Sequence, residues 1–184
     1  MTELANEKEL AERAPKDAAA FAALYDFYFP KIWAYVIRRV GHTETAEDIV
    51  SQVFLKITEA LPKRKNNAPF GAWVFRIATN TLIDYYRVSG RRRTEELPAE
   101  DTIAGNELSP DRFTEARAMF CEVEEILSSF PEREKRIVGL RFFAGLSNEE
   151  IAEVENVSEG NAAVIVHRAL EKIRQHSKFY GKFE

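Results

Sequence analysis

Eight cations (Lys63, Arg64, Lys65, Arg76, Arg87, Arg91, Arg92 and Arg93) stand against one acid, Asp84, within residues 63–93. Phe70, Trp73, Phe75, Tyr85 and Tyr86 are interleaved with them. This mixture suits nucleic acid. Basic side chains neutralise phosphates, and aromatic faces stack on unpaired bases at ~1–3 kcal/mol per base. Tyr85, Tyr86 and Arg87 are the candidates for such a face. Trp73 and Ile77, four residues apart, fit the buried side of a helix. Residues 94–111 then carry six acids (Glu95, Glu96, Glu100, Asp101, Glu107 and Asp111) and no base. The net charge of −4 over 184 residues therefore hides two blocks of opposite sign. Such separation suggests two surfaces with different partners.

The same inventory argues against catalysis. His42, His167 and His176 form no metal-ligand spacing with acids or with the single cysteine, Cys121. No Gly-rich phosphate loop or nucleophile motif is present. The expectation is a protein that is not an enzyme and uses no metal, cofactor or small-molecule substrate. One cysteine excludes an intramolecular disulfide and fits a reducing compartment. No apolar run approaches the ~20 residues that span a membrane. The opening MTELANEKEL is polar and acidic, unlike a signal peptide. These features predict a cytoplasmic protein with no membrane insertion.

Residues 145–174, GLSNEEIAEVENVSEGNAAVIVHRALEKIR, have the grammar of a helix-turn-helix. Ser147 and Glu150 make a capping box. Asn156 stands where the turn wants a left-handed residue, and Val157 plugs the turn. Ser158 caps the second helix, with Glu159 in its first turn. Ala162, Val166, Ala169 or Leu170, and Ile173 recur at helical spacing and predict the buried side. Asn161, Val164, Ile165, Arg168 and Lys172 are expected opposite, toward DNA.

Helices must carry all of this, since no period-two strand pattern is convincing and no internal repeat is visible. The pattern predicts an all-α chain. A helix over 16–29 begins near Asp17 as cap, and Pro30 starts a second that stops at Gly41. Thr43 caps a third through residue 61, striped by Ala46, Ile49, Val50, Val53, Ile57 and Leu61. Residues 62–69 (PKRKNNAP) form a loop, and a fourth helix covers 70–87. After the acidic segment, helices resume over about 113–129 and 132–143, ahead of the helix-turn-helix. The expected organisation is two small helical domains, 1–93 and 113–184, joined by a flexible acidic linker over 94–112.

These segments resemble the sigma factors of bacterial RNA polymerase, in the extracytoplasmic-function group of the sigma-70 family. AEDIVSQVFLKI (46–57) resembles the family segment that docks on the polymerase clamp helices. FGAWVFRIATNTLIDYYR (70–87) resembles the segment that melts and reads the promoter minus-ten element. FPEREKRIVGLRFFAGLSNEEIAEV (130–154) and SEGNAAVIVHRALEKIR (158–174) resemble the domain that binds the minus-thirty-five element.

The resemblance implies roles for individual residues. Asp48, Ser51, Gln52 and Leu55 would meet polymerase; the family more often reads DLVQE where this chain has DIVSQ. The loop before the basic helix would cradle a flipped-out base with Lys63, Arg64, Lys65, Asn66 and Asn67. An aromatic often seen in that loop is absent, so cation or amide contacts would replace stacking. Asn80 would line the same pocket, its amide serving as donor and acceptor. Tyr85, Arg87, Arg91 and Arg92 would extend the minus-ten surface. Ser158, Asn161, Val164, Ile165, Arg168 and Lys172 would form the minus-thirty-five surface. The linker would thread the polymerase near the RNA exit path. Implied partners are core RNA polymerase through its clamp helices and flap, promoter DNA, and an anti-sigma factor.

Three readings follow. The chain is a sigma factor that reads both promoter elements. Or it is a sigma-like protein with weakened upstream readout that needs another factor for targeting. Or it is a helix-turn-helix regulator that does not bind polymerase. The second rests on Ala163, Val164 and Ile165, which stand where the family commonly carries Lys, Arg, Ser or Thr. Apolar side chains cannot make the bidentate base contacts that polar ones make.

Overall fold

The computed structural model describes residue 4 and residues 6–65, 68–89 and 126–175. Helices and turns make up these residues, with no strand among them. In chain order the helices are α1 (Glu7–Arg13), α2 (Ala18–Val40), α3 (Thr43–Ala60), α4 (Phe70–Ser89), α5 (Glu132–Phe142), α6 (Asn148–Glu155) and α7 (Glu159–Gln175). A 3₁₀ turn, Leu61–Lys63, closes α3. The acidic linker, Cys121 and His176 lie outside the described residues, as does the expected helix over 113–129 up to residue 125.

Local chemistry accounts for most boundaries. The Asp17 carboxylate accepts from the amides of Ala19 and Ala20, capping α2. Gly41, at φ 74°, ends α2 in a conformation that side chains avoid. At α3 the structure departs from expectation: Thr43 is already helical, and His42 holds the cap position without a side-chain cap bond. Pro30 also departs from expectation. It sits inside a continuous α2 rather than starting a new helix. The lost amide bond is outweighed by tertiary packing, since Tyr28 and Ile32 on either side are both buried. A third departure is α1, formed by a polar tail that carries little apolar signal. Ala11 and Ala14 bury its inner side, and the Tyr28 hydroxyl bonds Glu7. Burial, and then the Glu7 bond, push that phenol's pKa up.

The core centres on Ile32, Tyr35 and Val36 of α2, Val53 of α3, and Val74 and Phe75 of α4. The predicted α3 stripe is buried at all six positions, from Ala46 to Leu61. Tyr35 packs edge-on to Phe75 at 5.8 Å and shares a hydrogen bond with Thr79 at 3.2 Å. Burial raises the Tyr35 pKa.

The second unit does not stand apart. Ile137, Leu140, Leu146, Ile151, Ala162, Ile165 and Val166 join the same core cluster. Among the described residues, Ile126, Leu127, Phe130, Val138 and Ala169 make a separate small cluster, with Ile173 against it. α6 lies on the start of α4, and α5 crosses the end of α2. Both crossings use glycine. A Cβ at Gly71 would stand 2.7 Å from the Glu150 carboxylate, and one at Gly139 would stand 3.3 Å from the Tyr35 ring. Arg38 covers the Phe143 ring at 4.4 Å, and Arg39 reaches Glu132 at 3.7 Å.

The helix-turn-helix forms as its residues dictate. The Ser147 hydroxyl accepts from the Glu150 amide at 3.1 Å, and the Glu150 carboxylate accepts from the Ser147 amide at 2.8 Å. Asn156 is left-handed at φ 52°, and Ser158 accepts from the Asn161 amide at 3.2 Å. Removing one half of such a box leaves helix amides unpaired. Ser147→Ala is expected to cost about 1 kcal/mol in urea denaturation, with no change in the unfolding slope.

Candidate functional site

Three surfaces carry the predicted site residues. The first is on α3. Asp48, Ser51, Gln52 and Leu55 follow the helical repeat, and all four are exposed. Leu55 is 60% exposed, while Ile49, Val50, Val53 and Ile57 on the other side are buried. An aliphatic side chain ringed by an acid, a hydroxyl and an amide fits the centre of a protein interface better than a solvated helix face.

The second surface is the outer side of α4 with the loop before it. Arg76, Asn80, Ile83 and Arg87 are exposed along one stripe of the helix. Arg87 bonds Asp84 at 3.0 Å, and Lys56 of α3 approaches the same carboxylate at 3.9 Å. Tyr85 is half-buried and meets Tyr86 edge-on at 5.4 Å. Tyr86 faces inward, its hydroxyl bonding the Arg39 carbonyl. Lys63 and Lys65 are exposed in the loop. Asn66, Asn67, Arg91, Arg92 and Arg93 lie outside the described residues.

Arg64 corrects the expectation for this loop. Its guanidinium turns inward, donates to the Ala68 carbonyl at 2.7 Å, and covers Phe70 and Trp73 at 5.1 and 5.6 Å. Burial lowers its pKa. The side chain fastens the loop to α4 instead of pointing at a ligand. The physical reason is the neighbouring aromatic pair, which attracts a weakly hydrated guanidinium.

The third surface is the outer side of α7. Ser158 and Asn161 are exposed at its start, and Val164 is 62% exposed. Ile165 corrects the expectation: it is 7% exposed and belongs to the core. Helix α7 packs against both α5 and α6, so its buried arc spans Ala162, Ile165, Val166 and Ala169. Two of the three Lys or Arg side chains on this helix, Arg168 and Lys172, are engaged at its flank. Arg168 pairs with Glu134 of α5. Lys172 lies 4.4 Å over the Phe130 ring and 3.5 Å from the Ser129 hydroxyl. Ala163 is half-buried. The outer face of α7 thus exposes the amide of Asn161, the methyl pair of Val164 and the imidazole of His167.

Two contacts between helices were not predicted from the sequence. Glu155 is buried at the end of α6 and held by Arg136 of α5 through bonds of 2.7 and 2.8 Å. That paired hydrogen bond raises the Arg136 pKa. Arg76 of α4 bonds both the backbone carbonyl and the carboxylate of Glu153, the latter at 3.2 Å. The signals for Arg76 were its place in the basic block and its spacing, four residues before Asn80.

Among the described residues no helix is long and apolar enough to cross a membrane. No group of three His, Cys, Asp or Glu among them is placed to hold a metal.

Comparison with known proteins matches both units. The Sigma-70 region 2 family covers residues 24–92, and the Sigma-70 region 4 family covers residues 126–175. The RNA polymerase sigma-H factor of Pseudomonas aeruginosa is 31% identical over 176 residues, 91% of each chain. The ECF RNA polymerase sigma-E factor of Haemophilus influenzae is 30% identical over 182 residues, 94% of this chain and 96% of its own. The ECF RNA polymerase sigma factor SigW of Bacillus subtilis is 26% identical over 181 residues, 94% of this chain and 97% of its own. In fold, the chain is similar to CnrH in its complex with the cytosolic domain of CnrY. The TM-score is 0.66 at 24% identity, covering 92% of this chain and 95% of that one. It is also similar to the sigma factor RpoE of Bartonella quintana in complex with the anti-sigma factor NepR, with TM-score 0.62 at 19% identity, covering 84% and 94%.

A simple helix-turn-helix regulator would need the second unit alone, so the match over 24–92 disfavours that reading. The chain belongs to the extracytoplasmic-function group of the sigma-70 family: it is a sigma factor that binds core RNA polymerase and directs it to promoters for initiation.

Proposed function

We propose a division of labour among the three surfaces. The α3 face, with Asp48, Ser51 and Gln52 around Leu55, docks on the polymerase clamp. Lys63, Lys65, Asn80, Tyr85 and Arg87 hold the non-template strand and the flipped base of the minus-ten element. Helix α7 enters the major groove at the minus-thirty-five element. The observation that carries this reading is the α3 face, where a leucine 60% exposed sits on a helix whose other side is wholly core. The units act as separate domains on promoter DNA, 1–93 and 113–184, bridged by the linker over 94–112. The role is one of binding, not catalysis, and belongs in the cytoplasm with core polymerase. Regulation by an anti-sigma factor is supported by the fold likeness to RpoE, whose structure contains such a partner.

Mechanistically, opening a duplex requires unstacking and unpairing, a few kcal/mol per flipped base. Capture of the flipped base and of the single strand along α4 offsets that cost. In vitro transcription with core polymerase on genomic fragments, with start sites mapped, tests the proposal. Discrete start sites with a shared upstream pattern are expected. Transcription from fragment ends alone would refute it.

Upstream readout is narrow in this proposal, because the outer face of α7 has few polar groups. Ala163→Arg is expected to tighten binding to duplex DNA of any sequence, and to steepen its salt dependence by about one counterion. Fluorescence anisotropy over a salt series measures both. Tight, sequence-selective binding by the unaltered α7 surface at physiological salt would contradict narrow readout.

A further inference from the structure

One cation on the outer side of α4 has no place in the roles above. Arg76 shares its stripe with Asn80 and Arg87, four and eleven residues further on, and all three are exposed. Eleven residues of helix span about 16 Å, long enough to follow several phosphates of one strand. Yet Arg76 is not open to solvent on all sides. The α6 helix lies over this end of α4, and one Arg76 nitrogen bonds both the Glu153 carbonyl and the Glu153 carboxylate.

We propose that Arg76 is a phosphate contact for the single strand carried along α4, and that Glu153 occupies it while the two units are packed together. The inference rests on the reading of α4 as the minus-ten surface. Glu153 supplies one anionic and one carbonyl oxygen to a single guanidinium nitrogen, and a phosphate oxygen can take the place of the anionic one in the same charge-assisted hydrogen bond. The position of the pair also fits exchange. The Arg76 and Glu153 side chains are 45% and 49% exposed. An ion pair this exposed is weak and screened by salt, so a phosphate can displace it. Strand binding on α4 and release of α6 from α4 then oppose the same contact. The two events are linked, each favouring the other. The helix-turn-helix unit thereby acts on the minus-ten surface before it meets DNA.

The test uses the full chain and a fluorescein-labelled thymidine dodecamer, with affinity read by anisotropy at low salt. Glu153→Gln is expected to tighten binding about fivefold. Glu149→Gln makes the same charge change at an exposed glutamate of the same helix, and is expected to shift affinity by less than about twofold. Arg76→Gln is expected to weaken binding, and Arg76→Gln with Glu153→Gln to show no gain over Arg76→Gln alone. Equal gains from the two glutamate variants would reduce the effect to net charge and overturn the proposal. A gain that survives in the double variant would also overturn it. Arg87→Gln separates this failure from that of the underlying reading. If Arg87→Gln weakens binding while Glu153→Gln is silent, only the Arg76 contact falls. If Arg87→Gln and Arg76→Gln both leave binding unchanged, the α4 surface falls and the Arg76 contact with it. All the substituted residues are exposed, and circular dichroism confirms that each variant keeps its helices.

Discussion

Glu155→Ala is expected to destabilise the chain by about 3 kcal/mol, the low end of the range for breaking a buried ion pair. The Glu155 side chain is 4% exposed and Arg136 is 20% exposed, so water replaces little of what is lost. The pair joins the end of α6 to α5 through two parallel bonds of 2.7 and 2.8 Å. Arg133 adds a donation to the Glu155 carbonyl at 2.5 Å and to the Asn156 carbonyl at 3.1 Å. Together these arginines hold the left-handed turn that sets the angle between α6 and α7. Truncating the carboxylate strands Arg136 in a site built to neutralise it, and also leaves a cavity. Glu155→Gln keeps the volume and one acceptor, and is expected to lose less, about 1–2 kcal/mol. Replacing both partners, Arg136→Met with Glu155→Leu, is expected to recover most of the loss, since two apolar side chains need no partner. Urea denaturation followed by circular dichroism measures the series. A Glu155→Ala change within about 0.5 kcal/mol of the parent, typical of a surface position, would show that the pair does not brace the turn.

How far the sequence disclosed this architecture depends on what each element needs. Elements set by their own residues were legible. The α3 stripe reads directly because its helix buries one side against α2 and α4, giving apolar residues at a strict helical spacing. The capping box at Ser147 and the left-handed Asn156 read directly because they are satisfied within a few residues. Elements set by neighbours did not. Ile165 lies three residues after Ala162 and next to Val166, so spacing alone allows it to face either way. Only the presence of both α5 and α6 beside α7 widens the buried arc to include it. Pro30 breaks an isolated helix but not one whose flanking residues are locked in a core. Arg64 reads as a cation of the base-cradling loop until Phe70 and Trp73 are seen beneath it. The packing of the second unit on α2 and α4 was the least visible feature. It depends on Gly71 and Gly139, whose missing side chains permit close approach, and a glycine in a helix does not say what comes near it.

The site shows the same division. The α3 residues were legible as one face because they share one helix. Their consequence is the largest expected functional effect. Leu55→Asp should lower affinity for core polymerase by on the order of 100-fold, the scale of an interface hot spot. An exposed leucine at the centre of a docking face loses water on binding, whereas an aspartate there must give up hydration without a partner. The free protein should not notice. Leu55 is 60% exposed, so the substitution is expected to leave the unfolding transition within about 0.5 kcal/mol of the parent. That contrast separates a docking role from a structural one. Binding of labelled protein to core polymerase, alongside thermal unfolding, gives both numbers. Undiminished polymerase binding by a folded Leu55→Asp variant would place the docking face elsewhere. The aromatic ladder of Tyr25, Phe29 and Phe54 on α2 and α3 would then be the next surface to test. It includes an exposed ring at Tyr25, and its ring centroids lie 4.5–6.1 Å apart. A leucine-centred face is the stronger candidate on physical grounds. The ladder's rings already satisfy one another, while Leu55 protrudes into solvent, and only a partner can take it out of water.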